Sequence, residues 1–406
     1  MDRETDVLIA GGGQVGLALA VALRQAAPSL GVTLVDAVPI DAATREGRAS
    51  TIVAGGRKML EQLGVWDAIA EAAQPVREMI VTDSRTRDVA RPVFLTFDTD
   101  GTAHVVADGV VVAALRKAAA DAGVVMVAPE AVTDFVADGV RVTTKLAGGG
   151  AVTARLLVAA DGVRSKLRDV AGIATVGHQY GQTGIVATVA HAKPHEGRAE
   201  EHFLPGGPFA MLPLPDTEGG KHRSSLVWTE PTEVATRLIA GDQLVFRIEL
   251  ERRFGNRLGP IEVIGKPLAF PLGVTLAREF VRPRFALTGD AAHSIHPIAG
   301  QGLNLGYRDV AALAETIVEA HRLGLDIGAL NVLERYQRWR RYDTVEMAAA
   351  TDGLNALFAN DNPALRLMRD VGLGIVDRLP GLKRLFIGEA AGDTEGAPRL
   401  LRGEAI

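Results

Sequence analysis

Gly11-x-Gly13-x-x-Gly16 lies between a short apolar run, DVLIA, and an alanine- and leucine-rich segment, VGLALAVALRQAA. The run reads as a strand and the segment after it as a helix. A turn joining them closely needs glycine for three separate reasons. The first allows the tight turn, the second lets backbone come against a pyrophosphate, and the third lets helix and strand pack together. The phosphates then lie on free amides at the helix N-terminus, around Gln14 and Val15. A second strand, VTLVDA, places Asp36 20 residues beyond Gly16, where a carboxylate takes ribose hydroxyls and favours an adenosine without a 2′-phosphate. A glycine pattern alone also occurs in plain tight turns, and it is the strand, helix and acid around this one that favour a dinucleotide. The pattern does not choose between NAD and FAD.

Two later segments repeat the design. ARLLVAADGVRSKLR, residues 154–168, is an apolar run ending in Asp161-Gly162, with Ser165 and Arg168 behind it. RPRFALTGDAAHSIHP ends a run, FALTG, at Gly289-Asp290. Parallel strands deliver their ends to one edge of a sheet, which is where such folds bind ligands. Three ends far apart in sequence predict an extended ligand along that edge.

Composition removes other classes. A chain of 406 residues exceeds one ordinary core, so it should hold two domains or one with a large insertion. Its hydrophobic content of 47% and charged content of 23% are those of a soluble globular protein. A net charge of -5 argues against a nucleic-acid partner. Without cysteine there are no disulfides, thiolate metal sites, iron–sulfur clusters or cysteine-linked cofactors, which agrees with a reducing compartment. The N-terminus is acidic and broken by glycines, unlike a secretory signal, and no stretch approaches the roughly 18 apolar residues of a spanning helix. The expectation is a cytoplasmic protein, with contact to a membrane surface left open.

The densest chemistry is GDAAHSIHPIAGQGLNLGYRDV, residues 289–310. From about 303 it reads as a helix, with Leu303, Tyr307, Val310, Ala314 and Ile317 on one face. The start of this helix presents free amides and a positive dipole end to whatever lies in front. Gly300 and Gly302 admit a close approach of backbone, Pro297 stiffens the loop, and Gln301 and Asn304 offer hydrogen bonds. Asp290, His293 and His296 could instead be metal ligands, but Pro297 follows at once and no fourth ligand is near. No metal is expected.

On these residues, together with GRASTIVAGGRKMLEQLGVWD, YGQTGIVATV and EEHFLPGGPFAMLPL, the chain resembles the flavin-dependent aromatic hydroxylases of the p-hydroxybenzoate hydroxylase fold (class A flavoprotein monooxygenases). Within them it is most similar to the ubiquinone-biosynthesis branch. The resemblance implies that Gly11, Gly13, Gln14, Val15, Gly16 and Asp36 hold the ADP half of FAD, that Asp161 and Gly162 serve FAD and the reductant, and that Gly289 and Asp290 meet the ribitol. Gly302, Leu303 and Asn304 would face the flavin ring, positioned with Pro297, Gly300 and Gln301, with no obligatory acid–base residue. It further implies ring hydroxylation of a prenylated phenol or quinol through a C4a-hydroperoxyflavin, with O2 as oxidant. No second framed glycine motif is visible, so NAD(P)H would bind transiently or a redox partner would deliver electrons. Arg48 matches a family arginine near the flavin, although a lone arginine reads equally as a surface ion pair. Asp108 replaces a usual amide and Arg164 a usual small or amide residue, which puts those two contacts in doubt.

The expected architecture is α/β: a Rossmann-like FAD-binding domain from 1–75, 105–177 and 276–345, an inserted β-rich substrate domain from 76–104 and 178–275, and a helical C-terminal segment, 346–406. Phe209, Met211, Leu212, Pro213 and Trp228 are candidates for a greasy substrate pocket, while the same run reads as ordinary strand core. In the tail, Leu365, Met368, Val371, Ile375 and Leu379 form a helical stripe beside Arg366, Arg369, Arg378, Lys383 and Arg384, with Asp370 and Asp377 opposing. Such a helix can lie on an anionic bilayer, dock into a multiprotein complex, or pack on the protein itself. Rival readings are a hydroxylase of a soluble aromatic, a flavin-dependent reductase of isoprenoid double bonds, and a non-catalytic nucleotide scaffold. Trp66, Trp228 and Trp339 include no Trp-x-Trp pair, which argues against halogenation.

Overall fold

Strand Arg3–Ala10 is the hub of the first of two sheets in the computed structural model, which describes residues 3–40, 47–83, 93–358 and 396–406. It pairs in parallel with Val32–Val35 on one side and Ala151–Ala159 on the other. Val125–Val127 continues the parallel run beyond the former, and Phe285–Leu287 beyond the latter. The chain therefore leaves the first strand in one direction and later returns to its other side. That makes a topological switch point at the C-terminal end of the first strand, the place where open parallel sheets bind ligands. The central strands are buried on both faces, so VLIA, VTLV and LLVA read as nearly continuous apolar runs.

Helix Gln14–Ala26 packs against the helices Asp108–Asp121 and Gln301–Arg322. Its leucines and alanines are buried along almost its whole length, and it contains no β-branched run to oppose helix formation. In the 301–322 helix Tyr307, Val310, Ala314 and Ile317 are fully buried, and Leu303 packs at the edge of the same core.

The second sheet has nine strands and is antiparallel apart from the pairing of Arg198–Leu204 with Gln74–Asp83. Its order is 293–294, 261–277, 175–191, 222–231, 207–214, 198–204, 74–83, 93–107 and 49–52. Strands 49–52 and 293–294 belong to this sheet although their sequence positions fall in the ranges expected for the nucleotide domain. Both are chain crossings where the nucleotide-binding elements touch the sheet. Helices Thr232–Ala240 and Gln243–Phe254 cover one face. The opposite face meets Ile298 and the helix Leu330–Phe358, which runs unbroken through the expected boundary at 345.

The expected amphipathic stripe in the tail, Leu365 to Leu379, and the basic residues near it lie outside the described residues. The C-terminal residues return to the first domain, where the Glu315 carboxylate accepts the Arg399 amide at 2.8 Å and Arg322 donates to the Ile406 carbonyl at 2.9 Å. Among the described residues no helix is long and apolar enough to cross a membrane.

Candidate functional site

Backbone hydrogen bonds gather three strand ends at the switch point: Gly11 N–H to Val35 O at 2.8 Å, Ala160 N–H to Ala10 O at 2.8 Å, and Thr288 N–H to Ala159 O at 3.0 Å. The glycines there do different work. Gly11 has φ +120°, and a Cβ on it would lie 2.2 Å from the Ala160 carbonyl oxygen. A Cβ on Gly16 would lie 2.0 Å from the Gly11 oxygen, so both must be glycine for the chain to close. At Gly13 a Cβ would meet nothing within 4 Å. This open position is the N-cap of the 14–26 helix, which has neither a side-chain cap nor an acid in its first turn. Exposed amides at a positive dipole end are what a pyrophosphate requires. Next to it a shallow open cleft is lined by Gly12, Leu34, Asp36, Arg116, Met126 and Ala128, apolar walls with one carboxylate and one guanidinium.

The other two ends are tied to each other. Ser165 caps the short helix Lys166–Val170 by accepting the Arg168 amide at 3.1 Å. The Arg168 guanidinium, buried, donates to the carbonyls of Ala291 at 3.0 Å and Val163 at 3.2 Å. Arg168 thus fixes the loop of Asp161 and Gly162 relative to that of Asp290. The Val15 side chain packs against both Gly289 and Gly306, where added Cβ atoms would come within 3.2 Å and 2.6 Å of it, which leaves its backbone amide at the helix start. Asp290 is exposed to solvent yet crowded by protein, and desolvation pushes its carboxyl above the usual carboxylate range against the pull of His293 and Arg48.

The loop then turns through Ile298–Gly300 into the 22-residue helix 301–322. Gly300 is its N-cap at φ +63°, no side chain caps it, and no acid occupies its first turn. Gly302 has nothing within 4 Å of an added Cβ, so a planar group can approach the first-turn amides there. Gln301 is buried. The Asn304 side chain makes three bonds to the protein. It donates to Thr51 O at 2.9 Å and Gly300 O at 3.1 Å and accepts the Val53 amide at 3.2 Å. Asn304 holds the helix start against the end of strand 49–52, using both side-chain N–H donors and leaving one lone pair of its oxygen. The Gln14 side-chain oxygen accepts the Tyr307 hydroxyl at 2.7 Å.

Sequence reasoning missed the anchor beneath this loop. Asp309, fully buried, accepts Gly289 N–H at 2.9 Å, pairs with His293 Nε2 at 2.6 Å and accepts Arg340 Nε at 2.9 Å. Burial alone would raise its pKa, but His293 and Arg340 outweigh burial and hold it below the usual carboxylate range. His293 is therefore engaged in this anchor, and His296 is buried apart from it, so the metal alternative has no geometry behind it. Arg48 forms an ion pair with Asp108 at 3.1 Å, and Ser50 donates to the same carboxylate at 2.6 Å. The ion-pair reading of Arg48 is the one the structure displays.

Burial pushes the His296 pKa down to about 4. In the unfolded chain a histidine titrates near 6.5, so the unfolded state binds the extra proton between these values. Stability is therefore complete above about pH 6.5 and falls by roughly 1.4 kcal/mol per pH unit toward pH 4 from this residue. His104, His191 and His195 are shifted in the same direction by burial. Denaturant unfolding of wild type and His296→Leu across this range should isolate the His296 share. Parallel curves for the two proteins would contradict it.

The second sheet presents two unlike faces. Phe209, Met211 and Trp228 point to the covering helices and pack with Phe246, Leu250 and Phe254, and Trp228 Nε1 donates to Glu230 at 2.9 Å. The expectation that these three line a substrate pocket is corrected: they are core on the far side. Pro213, by strand alternation, follows them. Leu212 alone of the five joins the face that meets Ile298, in the company of Phe203, Leu214, Leu354 and Phe358. Buried Glu201 alternates onto this face as well, between Ala199 and Phe203.

The FAD binding domain family matches residues 4–342. The ubiquinone hydroxylase UbiL of Rhodospirillum rubrum is 41% identical over 99% of this chain and 94% of its own length. The 3-demethoxyubiquinol 3-hydroxylase of Escherichia coli is 34% identical over 96% of this chain and 99% of its own. In fold the chain is similar to p-nitrophenol 4-monooxygenase from Pseudomonas putida, with a TM-score of 0.76 at 21% identity over 95% of this chain and 98% of that one. The uncapped helix start at Gly13, the carboxylate of Asp36 and the open approach at Gly302 fit FAD. The chain belongs to the FAD-dependent monooxygenases of the p-hydroxybenzoate hydroxylase fold, in their ubiquinone-biosynthesis hydroxylase branch.

Proposed function

We propose that the protein uses reduced FAD and O2 to hydroxylate the aromatic ring of a prenylated phenol or quinol on the route to ubiquinone, with NAD(P)H or a redox partner as electron donor. The observation that carries this is the near full-length likeness to relatives named for hydroxylation in that pathway. Bound FAD, once reduced, activates dioxygen and supplies one oxygen atom to the ring. The residues bind and exclude. Gly13 and the first turn of its helix take the pyrophosphate, Asp36 the ribose, and Asp290 the ribitol. The first-turn amides around Gly302 stabilise negative charge on the flavin's pyrimidine edge. Ile298, Leu212, Phe203, Leu214, Leu354 and Phe358 supply an apolar wall that keeps water from the reacting ring. An isoprenoid tail dissolves in a bilayer, so transient contact with the inner face of the membrane, or with neighbouring enzymes of the pathway, belongs to the same reading.

Purified protein supplied with FAD, NADH and isotopically heavy dioxygen should convert 2-prenylphenol to a product carrying one heavy oxygen, and should use oxygen without product on 4-hydroxybenzoate. Productive turnover of 4-hydroxybenzoate alone would favour a soluble substrate. Double-bond reduction without oxygen would make the protein a reductase.

A further inference from the structure

Between Asp290 and Gly302, His296 is fully buried and neither of its ring nitrogens has a hydrogen-bond partner among the described residues. A neutral imidazole carries one donor and one acceptor, and leaving such groups buried and unmet costs about 1–3 kcal/mol each. Native proteins keep these exceptions few, and a ligand is one of the things that completes them. Position narrows the choice of ligand. The ring packs edge-on against Tyr180, 5.1 Å between centroids, and Tyr180 belongs to strand 175–191 of the second sheet. Tyr180 in turn packs with Val274, Ile295 and Leu305. His296 thus stands at the seam between the flavin loop and that sheet, immediately before Pro297, among apolar side chains with the Tyr180 hydroxyl and the Asp352 carboxylate as its polar neighbours. Behind Tyr180 lies Asp352, which together with burial keeps the phenol protonated and pairs with exposed His178 at 3.4 Å. Burial, against the pull of Asp352, leaves the imidazole neutral, able to give one hydrogen bond and receive another. A greasy wall with one such pair suits a ring that carries a long apolar substituent and one hydroxyl.

We propose that His296 is a substrate-binding residue whose imidazole hydrogen-bonds the ring hydroxyl of the phenol, and so fixes which ring carbon faces the flavin. The substrate class is that of the proposed function, on which this assignment rests. The test titrates the FAD-loaded full chain with 2-prenylphenol and with its methyl ether, following the flavin absorption. Wild type should bind the phenol about fivefold to tenfold more tightly than the ether, the size of one hydrogen bond. His296→Leu, which removes no hydrogen bond made by the described protein, should keep its FAD and bind both ligands alike. His296→Asn, with a donor and an acceptor on a shorter stem, should recover part of the preference.

A phenol preference that survives in His296→Leu, or that wild type never shows, overturns the proposal. Should the leucine variant lose its FAD, the asparagine variant decides: unchanged affinity for the ether with a reduced phenol preference supports the assignment, and an unchanged preference defeats it. Turnover is scored separately. Wild type that binds the phenol with this preference yet adds no oxygen to it contradicts the proposed function and leaves His296 in its place.

Discussion

Asp309→Leu is expected to destabilise the protein by about 3–5 kcal/mol, the cost of leaving a buried charge without its partner. The carboxylate has no exposure and serves three groups at once: the Gly289 amide, His293 and Arg340. Arg340 is itself buried and keeps only Asp343, at 2.7 Å, once Asp309 is gone. Calorimetry should show a melting temperature lower by about 4–6 °C. Asp309→Asn retains an acceptor for Arg340 and should fall much less. A double replacement, Asp309→Leu with Arg340→Met, should recover part of the loss, because apolar groups of similar volume substitute well for buried ion pairs. The pH dependence has a definite sign. Asp309 is held below its ordinary value in the folded state, so its contribution is present above about pH 4 and is lost as pH falls through the folded pKa. Acid unfolding of Asp309→Asn should lack that component. Since Gly289 leads directly into Asp290, a loosened anchor should also weaken FAD binding.

Gly13→Asp should separate folding from cofactor binding. Among the described residues, nothing beyond its chain neighbours lies within 4 Å of a Cβ at Gly13, and aspartate is itself a good N-cap, so the fold should be preserved. The new carboxylate would stand where the pyrophosphate belongs, and opposed like charges cost several kcal/mol. FAD affinity should fall by more than a hundredfold, giving a colourless protein with near wild-type circular dichroism. A yellow Gly13→Asp protein would move the nucleotide elsewhere. Gly11→Val provides the contrast, since its side chain would strike the Ala160 carbonyl and should impair folding itself.

The nucleotide-binding elements were legible because their signal is local. A strand, three glycines, a helix and an acid at fixed spacing declare a geometry within 26 residues, from Gly11 to Asp36. The buried stripe Tyr307, Val310, Ala314 and Ile317 was legible for the same reason. The structural role of Asn304 was not legible because its partners, Thr51 and Val53, lie about 250 positions away. Asp309 closed the quoted motif, but its meaning depends on Arg340, 31 residues later. The run PFAMLPL could not declare which of its residues face the flavin. The strand is buried on both sides, so apolar residues occupy both parities, and Phe209 and Met211 proved to belong with the helices while Leu212 belongs with Ile298. Hydrophobicity identifies a buried strand; only the layers on either side assign its faces.

A crystal structure of the FAD-loaded protein tests the central claim most directly. The account predicts the pyrimidine edge of the flavin about 3 Å from the backbone amides at Gly302 and Leu303, with the pyrophosphate on the amides after Gly13. A flavin ring held away from the start of the 301–322 helix, with its pyrimidine edge bonded instead to side chains or bulk water, would contradict it.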